Sequence, residues 1–507
     1  MNKRFLPVLL IAASLAAGGC KKYIDNTPQN DQANPASDPN LAVKLVTGTY
    51  ATMLSGDTWG DGDVHGFSFI AATNIISDDA DKGSTPGDQP GIGDFDNFTL
   101  TSTSVFVNSL WKGYYYGIGQ ANKALAVLDQ TTQMDAAVKA QYTGEVRFIR
   151  AYYYFNLVRM FGGVPAVLRA PASAQDANSD SAFNYRASAD DIYNKIIIPD
   201  LQYAAANTSV GKNDGRVHKG AAESLLAKVY MYRKNWQGVY DLTTSVINSG
   251  IYQLDNYANL WTPAGNNGVE SIFEIESGVL GNTDLGINNY CTTQGPRVGS
   301  LGGWTDLGWG FCTPSADLVN AYEPGDRRRD ATIITIDRTA PLTGTVLWDG
   351  FRVPSGDSVA NAYYNYKAYN SELAAGNPLY HGNRDQKQKN IHVLRLGEVL
   401  LMHAEAANEL GRTSEATDDL NKIRTRAGLA DIHPAGGTQM REAVWKERRV
   451  ELALEHDRFW DLVRQGRAAA VMQAAGKAFA AGKNELLPIP DVQIALSGNK
   501  LTQNPGY

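Results

Sequence analysis

Three long stretches of the chain carry apolar residues at three- and four-residue spacing, and this periodicity limits the fold more than any other feature. In the first, about residues 105–161, Trp111, Tyr114, Tyr115, Ile118, Ala121, Leu125 and Leu128 line one helical face. Val138, Tyr142, Val146, Ile149, Tyr153 and Leu157 line a second helix, stopped by Gly162, Gly163 and Pro165. In the second stretch, about residues 187–250, Ala221, Ala222, Leu225, Leu226, Val229 and Tyr230 make one helix. Trp236, Val239, Leu242, Val246 and Ile247 make its partner across a short turn at Lys234 and Asn235. In the third, about residues 391–466, Leu394, Leu396, Val399, Leu400, Met402 and Ala406 build a helix ended by Gly411. Leu420 and Ile423 lie on the next, ended by Gly428, and Val444, Trp445, Arg448, Leu452, Leu454 and Phe459 on a third. Helices joined by short turns, with small residues at Ala221, Ala222 and Ala227 for close approach, suggest tetratricopeptide-type pairs of degenerate sequence.

Two stretches break the pattern. Residues 252–389 are rich in Gly, Asn, Thr and Trp, with short alternating pieces at Ser271-Ile272-Phe273-Glu274-Ile275 and Thr332-Ile333-Ile334-Thr335-Ile336 that read as strands. Residues 56–101 interrupt the N-terminal helices in the same way. Loops this long in a compact domain are usually functional. The expected fold is therefore mainly α. A helical-pair scaffold over about 41–250 and 391–470 presents loop-rich inserts and a few short strands, with 252–389 as the ligand-binding segment.

The N-terminus reads as an export signal. Lys3 and Arg4 are basic, residues 5–17 are apolar but too short to span a bilayer, and small residues lead into Cys20. A Cys at the first mature position supplies the thiol that lipoprotein maturation acylates, with Ala17 where a lipobox usually has Leu. Residues 1–19 are thus expected to be removed, Cys20 to carry the lipid, and the polar, proline-containing residues 20–40 to form a tether. The formal charge of −7 becomes −9 without Lys3 and Arg4, and no basic stripe survives, so nucleic acid is not an expected partner. Cys291 and Cys312 can form one disulfide in an exported chain or stay as two buried thiols.

Three stretches resemble the SusD/RagB family of outer-membrane nutrient-binding lipoproteins. One is Gly144-Glu145-Val146-Arg147-Phe148-Ile149-Arg150-Ala151-Tyr152-Tyr153-Tyr154-Phe155, closing at Gly162-Gly163-Val164-Pro165. A second begins Leu394-Arg395-Leu396-Gly397-Glu398-Val399-Leu400, passes Arg426-Ala427-Gly428-Leu429 and Glu447-Arg448-Arg449-Val450-Glu451, and reaches Arg458-Phe459-Trp460-Asp461. The third is Leu487-Pro488-Ile489-Pro490 with the ending Asn504-Pro505-Gly506-Tyr507. Gly397 stands where the family often has a larger residue. The resemblance implies a binding role and no reaction: capture of oligosaccharides, or in some cases peptides, as a lid over a SusC-like TonB-dependent transporter at the cell surface. It also implies that the helical-repeat face meets the transporter and that the ligand lies on the loop-rich side. A non-catalytic envelope scaffold is the remaining alternative.

Sugar recognition needs flat aromatic faces and polar groups for hydroxyls. The chain has 25 Tyr and nine Trp. Tyr290, Trp304 and Trp309 lie in or beside the glycine-rich run 295–310, close to where the resemblance places binding aromatics. Asp78 and Asp81, in Ser77-Asp78-Asp79-Ala80-Asp81-Lys82-Gly83-Ser84, and Trp59 are the candidates on the first insert. Three carboxylates in four residues are also oxygen chemistry suited to Ca2+, although EF-hand spacing is absent, and no cofactor is expected. The seven His, His65 among them, show no metal-type clustering. Glu447, Arg448, Glu451, Glu455, Arg458 and Asp461 alternate in charge at three- and four-residue spacing, which predicts ion pairing along a helix; Arg147 and Arg150 near Glu145 read the same way. Catalysis would need two carboxylates facing across a cleft. Glu398 and Glu405 are expected to be packed instead, so the chain is not read as an enzyme.

Overall fold

The computed structural model describes residues 38–55, 62–212, 215–277, 289–297, 308–338, 343–353, 359–370 and 389–507. The helical scaffold comprises α1 (Pro39–Ala51), α2 (Val105–Gln130), α3 (Ala136–Phe161), α4 (Ile198–Asn207), α5 (Lys219–Tyr232), α6 (Trp236–Asn248), α7 (Leu396–Glu409), α8 (Thr413–Ala427), α9 (Thr438–Glu451) and α10 (Arg458–Arg464). Local chemistry sets their ends. The Ser104 hydroxyl caps α2 at the Val107 N–H, and Asp135 caps α3 at the N–H groups of Ala137 and Val138. Gly428 ends α8 in the left-handed conformation at φ 81°.

Neighbours in the scaffold pack in a continuous stack, α2 on α3, α3 on α4, α4 on α5, α5 on α6, α6 on α7 and α7 on α8. This is the tetratricopeptide-like arrangement expected from the periodicity. The α6–α7 contact closes over the whole second insert. That insert enters through β2 (Ser271–Ile275) and leaves through β8 (Ile391–Arg395), which pair antiparallel, Ile275 opposite Ile391. The excursion over residues 276–390 thus begins and ends at one place on the scaffold, which fixes the insert without interrupting the stack. Three more antiparallel pairs organise the loops: β1 (Ala80–Gly83) with β3 (Phe311–Pro314), β4 (Ile333–Thr335) with β7 (Tyr363–Asn365), and β5 (Thr345–Val346) with β6 (Arg352–Val353).

Several local expectations are corrected. Leu394 belongs to β8, and the helix starts at Leu396. The third helix of the last stretch stops at Glu451; Leu454 and His456 take positive φ, and the chain restarts as α10 at Arg458. The first insert is less irregular than its sequence. Residues Phe67–Ile70 and Ala71–Ile75 form buried helical turns, the second of π type. Cys291 and Cys312 are buried as two thiols, and burial pushes Cys312 up to about 12.

The charged residues of the C-terminal motif pair between segments, not along one helix. Glu451 is buried at the end of α9 among Arg328, Arg395 and Arg426. Arg328 lies 3.1 Å and Arg395 2.5 Å from its carboxylate, and Arg426 pairs with it as well. Arg395, 1% exposed, also holds Glu270 at 2.8 Å and Glu455 at 2.8 Å. Arg448 reaches Asp461 and Glu398, and Arg464 reaches Glu405 and Asp461. Glu398 and Glu405 are therefore ion-paired inside the scaffold. Burial works to raise the Glu451 pKa, but the three guanidinium groups outweigh it and hold the carboxyl well below the ordinary range. Arg150 pairs with Asp200 at 2.8 Å, and Glu145 pairs with Arg216.

Gly397 explains itself against this network. A Cβ there would press on the Arg395 guanidinium and lie 2.8 Å from Glu451 Oε1 and 2.9 Å from Glu270 Oε1. Alanine in a helix is ordinarily better than glycine by roughly 0.5–1 kcal/mol. Gly397→Ala is expected to reverse that sign and cost about 1–3 kcal/mol through overpacking. Gly119→Ala, at an α2 position with no atom within 4 Å, is expected to stabilise. Urea unfolding of the two variants beside the parent checks both signs.

Candidate functional site

The β1–β3 pairing joins the two inserts. Ala80 lies opposite Pro314, Asp81 opposite Thr313 and Gly83 opposite Phe311. Glycines make the approach close enough. A Cβ on Gly83 would collide with the Gly310 carbonyl, and the Ser84 N–H donates to that carbonyl at 2.6 Å. A Cβ on Gly308 would lie 2.4 Å from the Gly295 Cα, so no side chain fits there. Trp309 N–H donates to Thr292 O at 2.6 Å and Gly310 N–H to Gly295 O at 3.0 Å. The glycine-rich run is therefore pinned at both of its ends, and those ends are pinned to the first insert.

Polar side chains gather at this junction. Arg297 Nη1 donates to Ser84 Oγ at 2.5 Å and pairs with Asp88, while the Ser84 hydroxyl donates to Asp88 at 2.8 Å. The Arg297 carbonyl accepts the Ala360 N–H at 3.1 Å and lies 3.5 Å from the Tyr364 hydroxyl. Two segments remote in sequence, 84–88 and 360–364, thus converge on Arg297. Ser84 and Gln89 hold positive φ values of 53° and 46°. Non-glycine residues in that region store strain, and such strain concentrates at binding sites. Lys82 Nζ lies over the Phe311 ring at 5.6 Å.

The predicted site residues fall into three groups. Trp309 and Asp81 lie at the junction. Trp309 is half-buried, with its ring 6.2 Å from Phe67. Asp81 is exposed; partial desolvation and the Asp96 carboxylate raise its pKa, and Lys477 opposes them. Tyr290 and Asp78 lie beneath. Tyr290 is buried, 2.9 Å from His456 Nε2 through its hydroxyl. Asp78 is 2% exposed; it receives two hydrogen bonds from Arg458, at 2.7 and 2.8 Å, and pairs with Arg449 at 3.0 Å. Burial works to raise its pKa, but Arg458 and Arg449 outweigh it and hold the carboxyl below the usual value. The expectation that Asp78 meets ligand hydroxyls is replaced by a scaffold role, because both oxygens face guanidinium groups. Trp304 and Trp59 lie outside the described residues, as do Cys20 and the tether up to residue 37. Sequence reasoning placed Ser84 in the acidic candidate run of the first insert but missed Asp88 and Arg297; the Gly295-Pro296-Arg297 segment inside the glycine-rich run was the available signal.

Among the described residues, no cluster of three His, Cys, Asp or Glu is arranged to hold a metal ion. No described helix is long and apolar enough to cross a membrane.

Two family models match this architecture. Residues 269–507 match the model described as the SusD family, and residues 89–231 match one described as starch-binding associating with outer membrane. The chain belongs to the SusD family. A SusD-like protein of Formosa agariphila, P2, is 27% identical over 494 residues and spans 91% of both chains. A solved structure titled laminarin binding SusD-like protein is 29% identical, covers 93% of this chain and all of its own, and superposes with a TM-score of 0.76. Surface glycan-binding protein A from Bacteroides fluxus is 25% identical, covers 93% of this chain and all of its own, and superposes at 0.75.

The layer under the junction makes the fold acid-sensitive. His65 is buried between Met53 O at 2.6 Å and the Tyr152 hydroxyl at 2.7 Å. His456 is buried between the hydroxyls of Thr73 and Tyr290. Burial lowers His65 to about 4 and His456 to about 3, so both are neutral in the fold. In the unfolded chain they titrate near 6.5. Stability is then full above about pH 6.5 and falls as the pH drops toward 4 and then 3, because the unfolded state takes protons that the fold refuses. The Asp63 carboxyl, which burial raises to about 7, works in the opposite direction over this range, so the check is a difference: from pH 7.5 to 4.5 the urea midpoint should fall by more in the parent than in His65→Gln.

Proposed function

We propose that this SusD-family protein is a cell-surface glycan-binding lipoprotein that delivers oligosaccharide to a SusC-like TonB-dependent transporter and closes over it as a lid. The observation that carries the binding part is the β1–β3 junction. It sets the half-buried Trp309 and the flanks of the Trp304 loop beside Ser84, Asp88 and Arg297 on a rigid base. An aromatic face with convergent hydroxyl, carboxylate and guanidinium groups is the chemistry that a sugar ring needs. The laminarin-binding relative, which aligns over 93% of the chain, supports the same ligand class. The buried ion pairs of Glu398 and Glu405 support a non-catalytic role, since neither carboxylate is placed to act on a sugar. Acylation of Cys20 would anchor the chain, and the family model's description fits attachment at the outer membrane.

The test is native electrophoresis of residues 21–507 through gels containing laminarin or other plant, microbial and host polysaccharides, followed by calorimetry. One polysaccharide should retard the parent, and Trp304→Ala and Trp309→Ala should each bind it at least about tenfold more weakly. Unretarded migration in every gel, with binding of peptides instead, would transfer the site to a peptide ligand.

The transporter part is tested on the acylated full-length protein. Detergent extraction of outer membranes from its own host should bring down a β-barrel transporter in stoichiometric amount. Recovery of the lipoprotein alone would remove the lid role and leave glycan capture.

A further inference from the structure

The aromatic surplus of the chain is not used up at the junction. A separate cavity of about 180 Å³ lies on the second insert, lined by Ala258, Trp261, Arg327, Asp330, Ala331, Trp348 and Tyr366. Trp348 forms its outer wall and is 40% exposed, a large apolar surface to leave in water. It is nevertheless held in place. It sits in the turn between β5 and β6, where Gly350 at φ 85° lets the Gly350 N–H reach Leu347 O at 2.9 Å. The Trp348 N–H donates to the Tyr366 hydroxyl at 2.5 Å, and Tyr369 packs edge-on against the indole at 5.9 Å. Tyr369 in turn donates to Asp349 at 2.8 Å. Such fixation lowers the entropy cost of stacking a ligand on the ring.

The other walls supply what a sugar needs beside a flat face. Asp330 has a side chain 83% exposed, with Arg329 3.3 Å away. Arg327 is exposed, and its guanidinium stem lies over Gly428, where a Cβ would come within 2.9 Å of Nε. Trp261 lines the cavity as a buried ring.

The cavity is also connected to the junction. Along β7, Tyr364 approaches the Arg297 carbonyl and Asn365 donates to Gln294 at 2.7 Å; Tyr366, two residues past Tyr364, is about 7 Å further along an extended chain. The strand β7 thus touches the junction, and the residue that follows it, Tyr366, lines the cavity.

We infer that the Trp261–Trp348–Tyr366 cavity is a second sugar subsite, in which the Trp348 indole stacks on a pyranose ring of an oligosaccharide whose other end lies at the Arg297 junction. The inference rests on the glycan-binding reading above. It makes affinity depend on chain length, because a ligand fills both places only when it spans from the junction to the cavity.

The experiment is calorimetry of residues 21–507 with the polysaccharide that retards the parent, laminarin being tried first, and with its short oligosaccharides. Trp348→Ala should bind the polymer about tenfold more weakly and the shortest binding oligosaccharide unchanged. Asp330→Ala, at an exposed position, should shift the polymer affinity in the same direction by less. Trp309→Ala should weaken both ligands, and the melting temperature of the Trp348 and Asp330 variants should match the parent. If the parent binds the polymer and Trp348→Ala binds it equally well, the subsite is refuted while the junction stands. If the parent binds no polysaccharide, the glycan reading falls and the subsite with it.

Discussion

Glu451 is the constraint on which the rest of the structure depends. One carboxylate at the end of α9 collects guanidinium groups from Arg395 at the end of β8, Arg426 on α8 and Arg328 on the second insert. Four pieces of chain that a helical stack would leave independent are thereby held to one point. Buried charges of this kind are poor sources of net stability, because desolvation cancels much of the attraction, but loss of one partner is severe. Their value lies in geometry. Bidentate and forked contacts tolerate few arrangements, so the insert can return to the scaffold in one way only. A second set does the same for the first insert, where Arg449 and Arg458 hold Asp78 and Asp79. The charged motif near the C-terminus is therefore the device that aims both inserts.

Their meeting at the β1–β3 junction follows from that aiming together with glycine. The scaffold brings Asp78 and Asp79 to the end of α9, and β1 begins at the next residue, so its position is already decided. The glycine pair Gly83 and Gly310 then lets two backbones approach to hydrogen-bonding distance without side chains between them. A site built in this way is stiff at its base and free to vary at its tips. That division suits a binding protein, since loop tips can change ligand preference while the charged network and the glycines keep the frame.

Much of the scaffold was legible in the sequence because each helix carries its own periodicity and stops. Ala221 to Tyr230 and Trp236 to Ile247 read correctly from spacing alone, as did the strand at Ser271 to Ile275. The charged motif was legible as an ion network but not in its connections. Spacing suggested pairs along one helix, whereas Glu451 and Arg448 both point to partners elsewhere, and only Asp461 with Arg464 keeps an i,i+3 pair. Periodicity reports neighbours along a chain and carries no information on what lies across a helix interface. The acidic run at Asp78 failed for a related reason. Its composition is that of an exposed turn, and only the arrival of two arginines from 370 or more residues away makes it interior.

Of the candidate site, the sequence singled out the run on which the junction lies but not the side chains that gather there. Glycine and tryptophan marked the 295–310 run, and the structure puts the junction there. Tyr290, chosen as an exposed ring, is instead a buried strut whose hydroxyl meets His456. Arg297, which no aromatic criterion would select, binds the two inserts together. The difference is one of sequence distance. A stacking ring announces itself by type, but a residue that matters because two remote segments converge on it has no local signature. Trp348 falls between these cases: its type marks it as a platform, and only the cavity beside it and the strand that packs on Arg297 single it out for a ligand.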